Sequence, residues 1–232
     1  MGKLVLVPTP IYEALPLEPR ALELLIQDCL KEEVLLLVEE HKVGRQRWLS
    51  WGLPREAIEK FIVFNEHTHK DVSKDIITRL KSPNTVAYLL SDCGLPAFCD
   101  PGQSLVDLCH KSHIQVTATP FPNSIALAMA LSGFPHDRFM FCGFVPQKNP
   151  ERQEWLKKEW KRPETLVLME TPYRLKKFLE ELNELGGPRD IFLGMDLGAP
   201  TECLLRGKAS ALLNHPETQG KREFVMVVSP LK

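Results

Sequence analysis

The segment Leu90-Ser91-Asp92-Cys93-Gly94-Leu95-Pro96-Ala97-Phe98-Cys99-Asp100-Pro101-Gly102 gathers carboxylates, thiols, glycines and prolines in one short stretch. Gly94 and Gly102 permit backbone shapes closed to other residues, while Pro96 and Pro101 stiffen the chain around them. A loop so built can turn carbonyls, amides and the Asp92 carboxylate toward a polar small molecule. The competing reading is a rigid structural turn, because glycine and proline mark turns of every kind. Two further acidic sets, Glu39-Glu40-His41 and Glu66-His67, also trail apolar runs of strand length. In an open α/β sheet such positions reach the rim at the carboxyl ends of the strands, where ligands bind. Glu40, Glu66 and His67 are therefore candidates to face a substrate. An imidazole titrates near neutral pH, so His67 is the histidine nominated as a base, against the alternative of an ordinary exposed rim residue. Tyr173 offers a phenol as a polar handle, and Glu170 serves equally well as a cap for the helix after it.

Other chemistries find little support. No G-x-G-x-x-G follows a strand, and neither a Walker-type loop nor a G-x-S-x-G elbow occurs. The cysteines at 29, 93, 99, 109, 142 and 203 are scattered with no Cys-x-x-Cys pair, so free thiols are expected rather than disulfides or zinc ligands. His67 and His69 lack a second cluster to complete a metal site. Two basic groups are interleaved with tryptophan: Lys42, Arg45 and Arg47 with Trp48 and Trp51, and Lys148 through Arg162 with Trp155 and Trp160. Basic side chains beside aromatics suit phosphate contact and base stacking. A solvated helix whose tryptophans pack inward accounts for the same pattern.

These side chains need a scaffold, and the apolar periodicity supplies one. Runs at 4–7, 34–38, 61–64, 85–90 and 114–117 read as strands, with helical stripes between them such as Leu22, Leu25, Ile26 and Cys29, or Val72, Ile76, Ile77 and Leu80. Val34 to Val38 is apolar on both faces and suits the interior of a parallel sheet. A break follows at Thr119-Pro120-Phe121-Pro122-Asn123, and the alternation restarts beyond it. A helix over 124–131 precedes strands at 139–144 and 165–169. Leu175, Phe178, Leu179, Leu182 and Leu185 mark the face of another helix, and strands at 191–193, 203–206 and 224–228 complete a mixed sheet. The reading is α/β throughout, with one lobe over residues 1–118 and a second over 119–232.

Composition sets the outer limits. The 232 residues are 44% hydrophobic and 25% charged, which excludes wholesale disorder. Thirty acidic against 29 basic residues leave a net charge of -1, so a globally basic nucleic-acid binder is excluded and only local patches remain. No uncharged apolar run approaches the ~20 residues of a membrane span. The opening Met1-Gly2-Lys3-Leu4-Val5-Leu6-Val7-Pro8 lacks the features of a signal peptide, which points to a cytoplasmic protein.

The loop at 90–102 is similar to the Ser-Asp-Ala-Gly-Thr-Pro…Asp-Pro-Gly segment of the tetrapyrrole-methylase superfamily. Val7-Pro8-Thr9-Pro10-Ile11, Ser132-Gly133-Phe134-Pro135, Asp137-Arg138-Phe139, Gly143-Phe144-Val145-Pro146 and Glu170-Thr171-Pro172-Tyr173-Arg174-Leu175 resemble, in order and spacing, one branch of it. That branch is the small-subunit ribosomal RNA 2′-O-methyltransferases. The resemblance implies a two-lobed fold, mainly parallel in the first lobe and mixed in the second. S-adenosylmethionine would be the methyl donor, bound in a cleft between the lobes, in a homodimer and without a metal. Carried over by position, Pro8, Asp92, Cys93, Gly94, Leu95, Pro96, Ser124, Ile125 and Met169 would bind the donor. The resemblance assigns no catalytic residue. RNA is the implied acceptor, with a tetrapyrrole or other small molecule as one alternative and a non-catalytic donor-binding paralogue as another. Departures motivate the last: Tyr12-Glu13 stands for Gly-Asn, Glu39-Glu40-His41-Lys42 for Glu-Asp-Thr-Arg, and Phe121 for a glycine. Met195-Asp196-Leu197-Gly198-Ala199 replaces Arg-Glu-Leu-Thr-Lys, with the loss of two cations.

Overall fold

A computed structural model describes residues 1–100, 102–121 and 123–231. Pro101 and Pro122, given stiffening and linker roles above, lie outside the described residues. The chain divides into two compact units, Met1–Phe121 and Pro122–Lys232.

The first unit is a five-stranded sheet of β1 (Lys3–Val7), β2 (Val34–Val38), β3 (Phe61–Val63), β4 (Val86–Leu90) and β5 (Gln115–Ala118), in the order β3-β2-β4-β1-β5. Among the described residues, every pairing in it is parallel. Side chains alternate between two cores, as a pleated strand requires. Val34, Leu36, Tyr88 and Val5 face one core with Ala21 and Leu25 of α1 (Pro19–Asp28) and Trp48 of α2 (His41–Ser50). Leu35, Leu37, Leu89 and Leu4 face the other, with Ile76 and Leu80 of α3 (His69–Leu80) and Leu105 and Cys109 of α4 (Gly102–Lys111). The chain steps from β1 through β2 to β3 with its helices on one face. It then returns through β4 to β5 with its helices on the other, as the fixed hand of parallel crossovers demands. The carboxyl ends of β1 and β4 therefore lie side by side while their connections depart to opposite faces, the arrangement that opens a binding crevice.

The second unit has β6 (Phe139–Phe144), β7 (Thr165–Met169), β8 (Ile191–Met195), β9 (Cys203–Gly207) and β10 (Phe224–Val228), in the order β6-β7-β10-β8-β9. The pair β6 and β7 runs parallel; the other pairs described are antiparallel. One face carries Val167, Phe192 and Val225 against Ile125, Ala128 and Met129 of α5 (Ser124–Ser132). The opposite face carries Leu168, Leu193 and Met226 against Leu156 of α6 (Glu151–Glu159) and Phe178 and Leu182 of α7 (Leu175–Leu185). Among the described residues, no helix is long and apolar enough to cross a membrane.

Two elements depart from the periodicity. Helix α2 has no apolar stripe to announce it, since only Trp48 and the stem of Arg47 are buried along it. Ile26, expected on the inner face of α1, is 58% exposed, because the buried line runs through Ala21, Leu25 and Cys29 at four-residue spacing.

Candidate functional site

Past β1 and β4 the backbone closes on itself. Thr9 N donates to Gly94 O at 2.9 Å and Gly94 N donates to Thr9 O at 3.1 Å. The wholly buried Thr9 hydroxyl donates to Ser91 O at 3.1 Å, and Ser91 Oγ donates to Gly94 O at 2.8 Å. Gly94 sits at φ +79°, where a side chain would strain the backbone even though nothing crowds the position. Downstream, Asp100 braces the loop from within: its carboxylate accepts from Ala97 N at 2.9 Å and from Gly102 N at 2.7 Å. Glycine is required at 102 because a Cβ there would lie 2.8 Å from Asp100 Oδ1 and 2.9 Å from Ala97 N. The rigid-turn and binding-loop readings are thus compatible, with Asp100 committed to rigidity and Asp92 turned elsewhere.

Asp92 and Glu39 tie the ends of β4 and β2 together. Asp92 N donates to Glu39 Oε2 at 3.1 Å, and Glu40 N donates to Asp92 Oδ1 at 3.4 Å. Burial and the neighbouring Glu39 carboxylate push the Asp92 carboxyl up to about 6, against an opposing pull from Arg47. Asp92 opens onto a depression of about 340 Å³ lined by Glu39, Glu40, Asn65, Glu66, His67, Cys99 and Asp100 as well. The structure thus brings Asp92 together with Glu40, Glu66 and His67. His67 and Glu66 are 3.3 Å apart and 82% and 79% exposed, at the outer lip. Asn65, not singled out in the sequence, shapes that lip: its Oδ1 accepts from His67 N and Thr68 N, and its Nδ2 donates to Glu39 O.

The remaining candidates have separate settings. Pro8 and Pro96 are buried, Gly94 and Leu95 partly so, and Cys93 is exposed with its thiol 3.6 Å from Ile11 O. In the second unit, Ile125 lies in the α5 core with Met169 packed against it. Ser124 is the first residue of α5 and not its cap. Asn123 is the cap, accepting from Ile125 N at 2.8 Å and Ala126 N at 3.3 Å. Tyr173 is 74% exposed with the Lys221 ammonium 4.3 Å over its ring. Glu170 is buried and accepts from Thr171 N at 2.7 Å, so it braces the turn after β7.

Both basic groups give members to the interior. Arg47 is 8% exposed and donates to Pro10 O at 2.9 Å, and Trp48 is wholly buried with its indole on Pro54 O. Arg152 is also buried, donating to Glu181 at 2.7–2.9 Å, to Glu170 at 2.5 Å and to Pro146 O at 2.9 Å. Trp155 packs on the core, while Trp160 packs there too and donates its indole N–H to Gly186 O. The helix-face explanation fits these residues, and Lys148, Lys157, Lys158 and Lys161 keep their exposure.

Residues 25–213 match the pattern of the Tetrapyrrole (Corrin/Porphyrin) Methylases. The chain belongs to this family. Within it, the protein is 35% identical over 98% of both chains to the Ribosomal RNA small subunit methyltransferase I of Thermotoga maritima. Among solved structures, a diphthine synthase shares the fold with a TM-score of 0.68 at 13% identity, covering 99% of this chain and 90% of its own. A uroporphyrin-III C-methyl transferase from Thermus thermophilus, complexed with S-adenyl homocysteine, shares it with a TM-score of 0.56 at 15% identity, covering 98% and 97%. A parallel sheet followed by a mixed sheet is thus this methylase family's architecture in the present chain.

Proposed function

We propose that this tetrapyrrole-methylase family member transfers a methyl group from S-adenosylmethionine to ribosomal RNA, at a ribose 2′ oxygen. The observation that carries the reading is end-to-end similarity to a ribosomal RNA small subunit methyltransferase I at 35% identity. The site's chemistry supports the donor. Carboxylates of Glu39, Glu40, Glu66, Asp92 and Asp100 around one depression complement a ligand carrying ammonium and sulfonium charges. S-adenosylmethionine, when bound, supplies a methyl group already activated by the sulfonium. The chain's own part is to bind, orient and exclude water. Asp92 and the Cys93–Pro96 turn, beside Pro8, are the proposed donor contacts in the first unit; Ser124, Ile125 and Met169 are those in the second. Glu40, Glu66, His67 and Tyr173 are proposed to face the acceptor, and His67 is the proposed acceptor of a hydroxyl proton. A cytoplasmic homodimer is part of the same proposal, and light scattering on the purified protein tests the dimer.

Calorimetric titration with S-adenosylhomocysteine, followed by transfer of labelled methyl to small ribosomal subunits lacking the modification, tests the activity. Saturable binding with label recovered in a 2′-O-methylated nucleoside supports it; failure to bind the product removes it. A second reading, donor binding without transfer, is favoured by the turn after β8. There Met195 and Leu197 are buried, and Asp196 is engaged by Arg222 at 2.9 Å. Binding with no transfer to any RNA fraction selects that reading.

A further inference from the structure

Behind Asp92 lies a second, much smaller cavity that the donor reading does not use. It is lined by Val38, Gly44, Arg47, Trp48, Trp51, Leu90, Ser91 and Asp92, and its volume is about 10 Å³. That is close to the smallest space able to hold one water molecule, at roughly 10–15 Å³. Two lining residues present buried donors without partners among the described residues: Arg47 Nε and Trp51 Nε1. Arg47 is more than nine-tenths buried, its Nη1 is spent on Pro10 O, and its Nε–H is itself shielded from solvent. A buried N–H left unmatched carries the full cost of its desolvation. Two residues with such groups line one cavity, and Asp92 lines it with them, a combination that calls for a partner able to accept twice and donate once or more. Water does this; an anion would have to sit against Asp92, and a cation against Arg47.

We propose that one buried water bridges Arg47 Nε and Trp51 Nε1 to the Asp92 carboxylate, which makes Arg47 and Trp51 positioning residues for the loop after β4. The bridge converts the Arg47–Asp92 attraction into a water-mediated ion pair and joins α2 to that loop. Glu39, Glu40 and Arg47 act most strongly on Asp92, with the Glu40 N–H on its carboxylate and Glu66, His67 and Asp100 lining the same depression, so loss of the bridge leaves the glutamates to act with less opposition. The link to ligand affinity rests on the donor reading; the bridge itself does not.

Three measurements on the full chain decide it. A crystal structure at high resolution is expected to show a single peak within hydrogen-bond distance of both nitrogens and of an Asp92 oxygen. Trp51→Phe keeps an aromatic ring and removes the donor, so the carbon-detected NMR titration of Asp92 in the ligand-free protein should move to higher pH. Arg47→Lys, which retains charge without an Nε, should move it in the same direction. Affinity for S-adenosylhomocysteine should fall about 3–10-fold in Trp51→Phe, the loss of one hydrogen bond of ~1 kcal/mol. No peak in the wild type, or an unmoved Asp92 titration in both variants, overturns the bridge. If peak and titration behave as stated but neither protein binds the product, the bridge stands and the donor reading falls.

Discussion

Asp92, proposed above as a donor contact, carries a folding cost in the same side chain. Its carboxyl titrates near 6 in the fold, above its ordinary value, because burial and Glu39 disfavour the charge. A group raised in this way stabilises the fold fully below the unfolded carboxylate range and loses that contribution as pH rises through about 6. Asp92→Asn removes the charge. Its melting temperature relative to wild type should therefore improve as pH rises from about 4 through 6 and level off above about pH 7, while S-adenosylhomocysteine affinity falls severalfold at pH 8. A variant that gains no relative stability over that interval would mean the ionised carboxylate is well accommodated. The glycines give a second comparison. Gly94→Ala meets only backbone strain at positive φ and should cost about 1 kcal/mol. Gly102→Ala meets Asp100, Ala97 and Leu89 atoms all inside 3.0 Å and should cost distinctly more. Urea midpoints of the two variants rank them.

Among the elements, the buried guanidinium of Arg152 has the widest reach. It joins α6 to Glu170 at the end of β7 and to Glu181 on α7, and lies 5.7 Å from the Phe178 ring centroid. Arg152→Ala leaves the buried Glu170 carboxylate with Arg174, 3.7 Å away, as its remaining ion-pair partner among the described residues, so equilibrium unfolding should show a loss of about 3 kcal/mol. Apolar runs make most strands readable from sequence, β2 above all, where VLLLV is buried on both faces. Strand-and-helix alternation likewise marks out the parallel sheet. Helix α2 is hidden from the same reading because its packing rests on one tryptophan and one arginine stem, which periodicity cannot weigh. The site is legible to a similar depth. Glycine and proline at 94, 96 and 102 advertise the loop, and Asp92, Glu40, Glu66 and His67 do share one depression. Braces between distant positions are invisible to local pattern, such as Thr9 on Ser91 and Glu39 on Asp92, 82 and 53 residues apart. The inward turn of Arg47 and Arg152 is equally hidden, since charge alone does not tell a core guanidinium from a surface one.

Over the whole molecule, a net charge of -1 conceals an uneven distribution. Carboxylates concentrate at the strand ends of the first unit, while exposed lysines 157, 158 and 161 cluster on and just after α6 in the second. Engagement of RNA by that lysine face predicts a specific salt response. Replacing Lys157 and Lys158 by alanine should flatten the plot of log affinity against log salt by ~0.7 for each phosphate left without its lysine. The same double variant should leave S-adenosylhomocysteine binding unchanged; filter binding across a salt series, paired with calorimetry, measures both. The acidic hollow has an experimental consequence of its own. So dense a negative field gathers mobile counterions from whatever buffer surrounds it. Apparent dissociation constants taken in sodium, potassium or polyamine solutions will therefore disagree for one and the same protein until they are extrapolated to a common ion activity.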